Sequence, residues 1–288
     1  MRLKQLSIVV GTRCNFKCAH CTWKDQERGK DLSPYEVAAL KAAIARHAPK
    51  GLLFTGGEPT LYVPLINEMI TAHPAPKRLN VTVTTNGHFA GSEASARELL
   101  ASFKTLHQVQ LSYDKFHSEF LPFKNVGNLY RACKKMGIAF SSFFAIQSPL
   151  DLPSMAELSR VGKFTIGVQK VIPRGQARKN NVGFVYPYFD RQVLRRRCPN
   201  MGSVSYTRGK GFSVCCSDLV RRNLPIRAAH RTIEDHLKSG FYRLMEKNSF
   251  GELLRKFSIP ETGIKPRHSE ECELCRYIFS GMLRKVRG

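Results

Sequence analysis

Three cysteines near the amino terminus have a spacing that points to metal chemistry. Cys14, Cys18 and Cys21 form a C-x3-C-x2-C pattern within eight residues. Three thiolates cannot complete a tetrahedral zinc site, and they cannot hold all four irons of a cubane cluster. The spacing suits an iron–sulfur cluster with one iron left open for a substrate or a cofactor. A zinc knuckle or a chance grouping of cysteines is the alternative.

A second motif follows about 35 residues later. Residues 52–55 are apolar and predict a strand, which ends at Gly56, Gly57, Glu58 and Pro59. Two glycines let the backbone come close to a ligand, and a carboxylate at a strand end suits an ammonium group. An ordinary strand-to-helix turn is the alternative.

Together the two motifs resemble those of the radical S-adenosylmethionine (SAM) enzymes. In that family three cysteines hold a [4Fe–4S] cluster whose fourth iron is chelated by SAM. Reductive cleavage of SAM gives methionine and a 5′-deoxyadenosyl radical, which takes a hydrogen atom from the substrate. The resemblance implies that Cys14, Cys18 and Cys21 hold this cluster and that residues 56–59 bind the amino group of SAM. His20 stands where the family usually has an aromatic residue, and its flat ring would still lie near adenine.

Strand and helix patterns alternate over residues 1–172. Strands are predicted at residues 6–10, 52–55, 79–85, 108–113, 138–146 and 165–172, and helices at 35–47, 63–72, 92–103, 126–136 and 154–161. Six β/α repeats imply a parallel sheet with right-handed crossovers. Periodicity does not separate an open doubly wound sheet from a barrel. The resemblance implies a partial (β/α)6 TIM-like barrel, in which ligands lie at the carboxyl ends of the strands.

Several polar residues follow predicted strands and therefore fall at that edge. Thr84 and Asn86 suit the carboxylate or ribose of SAM, although Asn86 also belongs to a turn signal. Ser112 and Asp114 follow the fourth strand, where the resemblance implies a polar site near SAM or substrate. His117 is a candidate for substrate contact or proton transfer, with a structural role as the alternative.

Arg174 follows the sixth strand and would pair with the SAM carboxylate or with an anionic substrate. The basic segment 173–197 that it opens predicts a linker between a core at residues 1–172 and a module at residues 198–288.

The later module contains a second set of cysteines. Residues 204–214 predict a β-hairpin, and residues 232–257 predict helix. The cysteine spacing around the hairpin resembles the SPASM and twitch modules of radical SAM enzymes. Because no cysteine follows Cys275, the shorter twitch module fits better. The resemblance implies one auxiliary [4Fe–4S] cluster, and a structural zinc site is the alternative. The implied ligands are Cys198, Cys216, Cys272 and Cys275.

Three further residues have open roles. Cys215 adjoins Cys216, and neighbouring strand residues face opposite sides, so Cys215 either packs in the core or donates a hydrogen atom in the active site. Cys133 is predicted to be a buried small apolar residue, with hydrogen donation as the alternative. Asp218 is a candidate base during substrate oxidation, with a hairpin-end turn as the alternative.

Composition limits the compartment and the partners. The 288 residues are 42% hydrophobic, but no apolar run approaches the roughly 20 residues of a membrane span. We therefore predict a cytoplasmic protein without a membrane partner, where nine cysteines indicate metal binding rather than disulfides. The formal net charge is +24, and residues 160–288 hold 27 Lys and Arg against 10 Asp and Glu. Such a field attracts RNA, DNA, acidic peptides or phosphorylated small molecules, unless it is only a solubilising surface.

The sequence thus predicts a radical SAM enzyme that modifies a ribosomally synthesised peptide by crosslinking, oxidation or epimerisation. An electron donor such as flavodoxin or ferredoxin and a separate peptide-recognition protein are the expected partners. The alternatives are a small-molecule radical dehydrogenase, an RNA-modifying enzyme and a non-catalytic iron–sulfur protein that binds nucleic acid.

Overall fold

A computed structural model describes residues 3–23, 27–216, 218–221, 224 and 226–287. The chain divides into two units, Met1–Phe184 and Val185–Gly288. The division falls within the segment 173–197 that the sequence predicts as a linker. Each unit has its own cluster of buried apolar side chains.

The first unit contains six parallel strands that pair in chain order. They are β1 (Gln5–Val9), β2 (Gly51–Thr55), β3 (Asn80–Thr85), β4 (Gln108–Ser112), β5 (Ala139–Ile146) and β6 (Thr165–Lys170). Every predicted strand is present, with ends that differ by at most two residues. The predicted α/β fold with a mostly parallel sheet is confirmed.

Alternation of burial explains why the first strands pair in register. Leu6 lies opposite Leu52 and Ile8 opposite Phe54, and all four side chains are buried. The residues between them are half-buried, as expected when helices cover a parallel sheet. All carboxyl ends of the six strands therefore meet at one edge.

Helices connect these strands. They are α1 (Pro34–His47), α2 (Val63–Thr71), α3 (Glu93–Ala101), α4 (Lys115–Ser118), α5 (Phe123–Lys135), α6 (Ala156–Ser159) and α7 (Gly175–Lys179). The first helix begins where Ser33 and Pro34 predict it. Ser33 and Glu36 exchange the two hydrogen bonds of a capping box, with the Glu36 carboxylate accepting from the Ser33 amide at 2.9 Å.

The helix predicted at residues 154–161 is shorter than expected. A 3-10 helix, Pro149–Met155, covers its first two residues, and the single turn α6 covers the next four. The α-helix ends at its C-cap, Arg160.

The second unit contains the predicted hairpin and a set of short helices. Its elements are β7 (Ser203–Thr207), β8 (Gly211–Ser213), α8 (Ile233–Lys238), α9 (Gly240–Lys247), α10 (Phe250–Lys256) and α11 (Glu271–Arg287). The hairpin pairs Tyr206 with Phe212 in antiparallel register. The helical segment predicted at residues 232–257 is broken into three, because Ser239 and Ser249 each cap the start of a new helix.

Within the described ranges, every helix is too short or too polar to cross a bilayer.

Candidate active site

The three-cysteine loop lines a cavity of about 290 Å³ in the first unit. The loop follows β1, and the other walls come from residues at the carboxyl ends of β2 to β6. Most of the predicted site residues of the first unit are brought together here, namely Cys14, Cys18, His20, Cys21, Gly56, Gly57, Thr84, Asn86, Ser112, Asp114 and His117. The strand-end rule therefore places separate sequence motifs around one space.

The loop is held by backbone and side-chain hydrogen bonds. The Phe16 amide donates to the sulfur of Cys14 at 3.4 Å. The Asn86 side-chain amide donates to Asn15 at 2.7 Å and to the Cys14 sulfur at 3.7 Å. Asn86, predicted as a SAM contact, thus also ties the end of β3 to the cysteine loop.

Burial and crowding make the thiols of Cys14 and Cys18 harder to ionise. Burial, together with the neighbouring Cys14 and Cys21, raises the pKa of Cys18 to about 12. Burial is also the main reason that the pKa of Cys14 is raised. A bound cation reverses this penalty, because thiolates are the form that ligates metals. The donor set of three soft thiols in one cavity therefore fits an iron–sulfur cluster.

The two glycines of the second motif pack directly against the cysteine segment. The Gly57 amide donates to the Gly11 carbonyl at 2.9 Å, and the Glu58 amide donates to the Arg13 carbonyl at 2.7 Å. A Cβ atom at Gly56 would overlap the Gly11 carbonyl oxygen, and one at Gly57 would overlap that of Arg13. The pair of glycines is thus explained by close backbone packing beside the cavity.

Glu58 binds groups of the protein itself. Its carboxylate is buried and accepts from the Thr60 hydroxyl at 2.6 Å, the Thr85 hydroxyl at 2.7 Å and the Asn86 amide at 2.8 Å. Burial raises its pKa, and these hydrogen bonds oppose that shift. Glu58 therefore joins the ends of β2 and β3. Neither Glu58 nor Pro59 is among the residues that line the cavity.

Asp114 holds two histidines at the cavity wall. One oxygen accepts from His117 Nδ1 at 2.9 Å and lies 3.8 Å from His20 Nε2. The other accepts from the amides of Phe116 and His117, which fixes the carboxylate at the start of α4. Burial alone would raise the pKa of Asp114, but the hydrogen bond from His117 and the electrostatic interactions with His117 and His20 lower it.

His20 is stacked on Phe116, with ring centroids 4.4 Å apart. Burial lowers the pKa of His20 to about 4, against the pull of Asp114 and with help from His117. The imidazole is therefore neutral near pH 7 and presents a flat apolar face, as the aromatic residue usual at this position would.

The end of the cysteine loop is tied to α7. The amides of Gln176 and Ala177 donate to the Cys21 carbonyl at 2.9 and 3.2 Å, and the Asn180 side chain donates to the Ala19 carbonyl at 3.0 Å. Gly175 has a φ of +52°, and a Cβ there would overlap the Thr22 carbonyl. Arg174, just before this turn, does not line the cavity.

Sequence reasoning missed several residues of the cavity wall. They are Trp23, Arg28, Phe143, Gln169 and Lys170. Trp23 donates from its indole to the Gly56 carbonyl at 3.1 Å. Trp23 and Arg28 follow the cysteine loop closely, which was a usable signal, whereas Phe143 and Gln169 are ordinary strand residues in the sequence.

The second unit brings its five cysteines to one small pocket of about 20 Å³. Cys272 and Cys275 are three residues apart on α11 and share a face. The Asn200 side chain donates to the sulfur of Cys216 at 2.8 Å. Burial, with nearby Cys216 and Glu271, raises the pKa of Cys198. The pocket lining includes Cys198, Cys215, Cys216, Cys272 and Cys275.

The neighbouring cysteines differ in exposure. Cys215 is partly buried and packs against the apolar cluster of this unit, while Cys216 is exposed. Cys133 is fully buried in α5, as predicted. Asp218 begins a short 3-10 helix, Asp218–Arg221, and its side chain lies outside the described residues.

A buried histidine positions the segment before these cysteines. The Val214 amide donates to His236 Nε2 at 2.9 Å, so this nitrogen carries no proton. Nδ1 then carries the hydrogen and faces His230 Nδ1 at 3.3 Å. Burial and the neighbouring His230 lower the pKa of His236 to about 4.

The strand order and the cysteine loop define an α/β domain with a three-thiol site at its strand ends. Residues 8–141 match the family model of the radical SAM superfamily.

Whole-chain comparisons extend this result. The putative peptide biosynthesis protein YydG of Bacillus subtilis (strain 168) is 23% identical over 299 residues, which cover 96% of this chain and 92% of that protein. Fe-coproporphyrin III synthase of Methanosarcina barkeri (strain Fusaro / DSM 804) is 30% identical over 162 residues, but only 38% of that protein is covered.

Solved structures support the fold. The structure of anSMEcpe with bound AdoMet has a TM-score of 0.57 at 13% identity, covering 98% of this chain and 97% of that chain. Streptococcus suis SuiB bound to S-adenosylmethionine has a TM-score of 0.51 at 15% identity, covering 87% and 74%. At these identities the likeness is one of fold.

Proposed function

We propose that this protein is a radical SAM enzyme. The observation that carries the proposal is that Cys14, Cys18 and Cys21 line one cavity with Gly56 and Gly57 inside a matched radical SAM domain. When bound, the [4Fe–4S] cluster supplies the electron that cleaves SAM into methionine and a 5′-deoxyadenosyl radical, which abstracts a hydrogen atom from the substrate.

The cavity residues have separate tasks in this scheme. The three thiolates hold the cluster, and the neutral ring of His20 packs beside adenine. The backbone at Gly56 and Gly57 receives the amino group of SAM. Glu58, whose carboxylate is occupied by Thr60, Thr85 and Asn86, acts by fixing these strand ends.

Anaerobic assay tests the core activity. The reconstituted protein is expected to produce 5′-deoxyadenosine from SAM with dithionite, and with flavodoxin or ferredoxin as donor. A fully reconstituted sample that leaves SAM intact would contradict the proposal.

A ribosomally synthesised peptide is the proposed substrate. The support is the likeness to YydG over nearly the whole of both chains. The +24 charge adds a field that favours an acidic peptide. A separate peptide-recognition protein would present that peptide. Mass spectrometry after incubation with short acidic peptides encoded beside this gene tests the substrate class, by a mass shift for crosslinking or oxidation and by chiral amino-acid analysis for epimerisation.

His117 is the proposed proton acceptor when the outcome is oxidative. If the proposed auxiliary cluster accepted one electron from a substrate radical, the substrate would also have to lose a proton to give a neutral product. Asp114 accepts a hydrogen bond from His117 Nδ1 and so leaves Nε2 of that ring to take the proton. Epimerisation needs a hydrogen-atom donor instead, and Cys215 is the proposed donor.

An auxiliary [4Fe–4S] cluster is proposed in the second unit. The support is that the four proposed ligands line one pocket, namely Cys198, Cys216, Cys272 and Cys275. A structural zinc site with the same ligands is the alternative.

Metal analysis tests this assignment. About eight irons per chain support two clusters. About four irons with one zinc would overturn the auxiliary cluster and leave the SAM cluster intact.

The charge favours RNA modification as a second candidate. Residues 160–288 hold a large excess of Lys and Arg. Salt-sensitive copurification of RNA, with modified nucleosides after SAM is added, would support it over a peptide substrate.

A further inference from the structure

Arg28 is a cationic side chain of the cavity wall that the scheme above does not use. It is partly buried, and its Nη1 donates to the Phe16 carbonyl at 3.3 Å. Its Nε is buried and has no hydrogen-bond partner among the described residues. Burying an unpaired donor of a charged group is unfavourable. Because Arg28 lines the cavity and, within the described part of the chain, only its Nη1 has a protein acceptor, the guanidinium is placed to bind an acceptor in the cavity.

The position of Arg28 identifies that acceptor. Phe16 lies between Cys14 and Cys18, so the guanidinium lies beside the loop that would hold the iron to which SAM binds. The carboxylate is the one anionic group of SAM. A guanidinium matches a carboxylate with parallel N–H donors.

Other cations fit the role less well. Arg174, which the sequence suggests, does not line the cavity. Lys170 does line it, but the residue is exposed and its Nζ lies 4.8 Å from the centre of the Phe184 ring.

We propose that Arg28 binds the carboxylate of SAM, an inference that rests on the proposed function of the cavity. The guanidinium keeps its contact with the Phe16 carbonyl and uses its remaining donors for the ligand. Arg28 is thus a specificity residue that distinguishes SAM from analogues without the carboxylate.

The test of this assignment compares two ligands, SAM and decarboxylated SAM, in the wild-type protein and in variants of Arg28. Equilibrium dialysis of the reconstituted full chain measures the Kd of SAM and of decarboxylated SAM. The Arg28→Gln variant is expected to weaken SAM about 10- to 100-fold and to change the analogue less than about twofold. Arg28→Lys should retain part of the preference for SAM. Arg78→Gln, at an exposed arginine of the same unit, is the matched control and should bind both as the wild type does.

The opposing outcomes are distinct. Equal losses for both ligands would show that Arg28 acts by holding the cysteine loop through Phe16, and the assignment would fall. Unchanged binding of SAM by the Arg28→Gln variant would also overturn the assignment. So would a result in which Lys170→Gln alone weakens the binding of SAM but not of decarboxylated SAM. Wild-type protein that binds neither ligand would remove the proposed function and the assignment with it. Iron content and thermal unfolding are measured for each variant, and Arg28→Lys decides the case where Arg28→Gln does not fold.

Discussion

In the first unit three cysteines come from one loop of eight residues, whereas in the second unit five come from three separate segments. The first set is positioned by a strand end and by backbone contacts with residues 56–58. The second set depends on a hairpin and on the first turns of α11, which tertiary packing brings together. A local loop can keep its ligands near one another with little help, while a dispersed site exists only when its unit is folded.

The largest expected effect is the loss of the iron bound by the first set of cysteines, while the second set keeps its iron. Replacing Cys14, Cys18 and Cys21 together with alanine should remove about four of eight irons and abolish formation of 5′-deoxyadenosine, because the cluster that reduces SAM loses all its protein ligands. The Cys133→Ala variant is the matched control. A triple variant that still cleaves SAM would break the assignment of this loop.

Variants of the adjacent residues Cys215 and Cys216 test which of them binds the auxiliary cluster of the second unit. Cys216→Ala is expected to remove the auxiliary irons, about four per chain, while Cys215→Ala keeps them and loses only the hydrogen-donor activity of an epimerising reaction. Iron analysis and product analysis distinguish the two. The reverse pattern would exchange the roles of the two residues.

Acid should weaken the second unit through His236. The pKa of His236 in the folded protein is about 4, below the unfolded value of about 6.5. The contribution of His236 to the free energy of unfolding is therefore complete above pH 6.5, and it is lost as the pH falls toward 4, because the unfolded chain takes up the proton first. The loss reaches about 2 kcal/mol at pH 5. Urea unfolding from pH 7 to pH 5 measures it. His236→Gln should be less stable at pH 7 and should lack this part of the pH dependence, and equal slopes would contradict the prediction.

Close packing of the first site predicts a loss of stability of similar size. Gly57→Ala should lower the free energy of unfolding by about 1–3 kcal/mol, because the new methyl group overlaps the Arg13 carbonyl. Gly91→Ala is the control, since a Cβ there meets nothing within 4 Å. Thermal unfolding of the apoprotein checks both, and equal stability of the two variants would show that the loops separate easily.

The sequence predicts which residues of the first unit share one cavity, because strand ends converge by topology. Cys14, Gly56, Asn86 and Asp114 each follow a periodic strand, and a parallel sheet puts them at one edge. The hydrogen bonds that Glu58 accepts from Thr60, Thr85 and Asn86 were less predictable, because two of these partners lie at the end of another strand. Arg28 follows no strand, and only its nearness to the cysteine loop in the sequence points to the cavity.

The structure of the short connecting segments could not be predicted from the sequence either. Residues 173–197 predict only a linker, yet Gly175 begins α7 and turns its amides to the cysteine loop. That contact depends on one positive φ and on a partner far away in the chain, so local propensity does not reveal it. The same holds for Ser239 and Ser249, whose capping divides a region that is helical by composition.

The hydrogen bond from Asn180 to Ala19 spans 161 residues. A chain still emerging from the ribosome has its three cysteines early, but it lacks the segment that fastens the end of their loop until almost the whole first unit has been made. Insertion of the proposed cluster into the finished geometry is therefore expected only near the end of synthesis of this unit, and the thiols must be kept reduced until then.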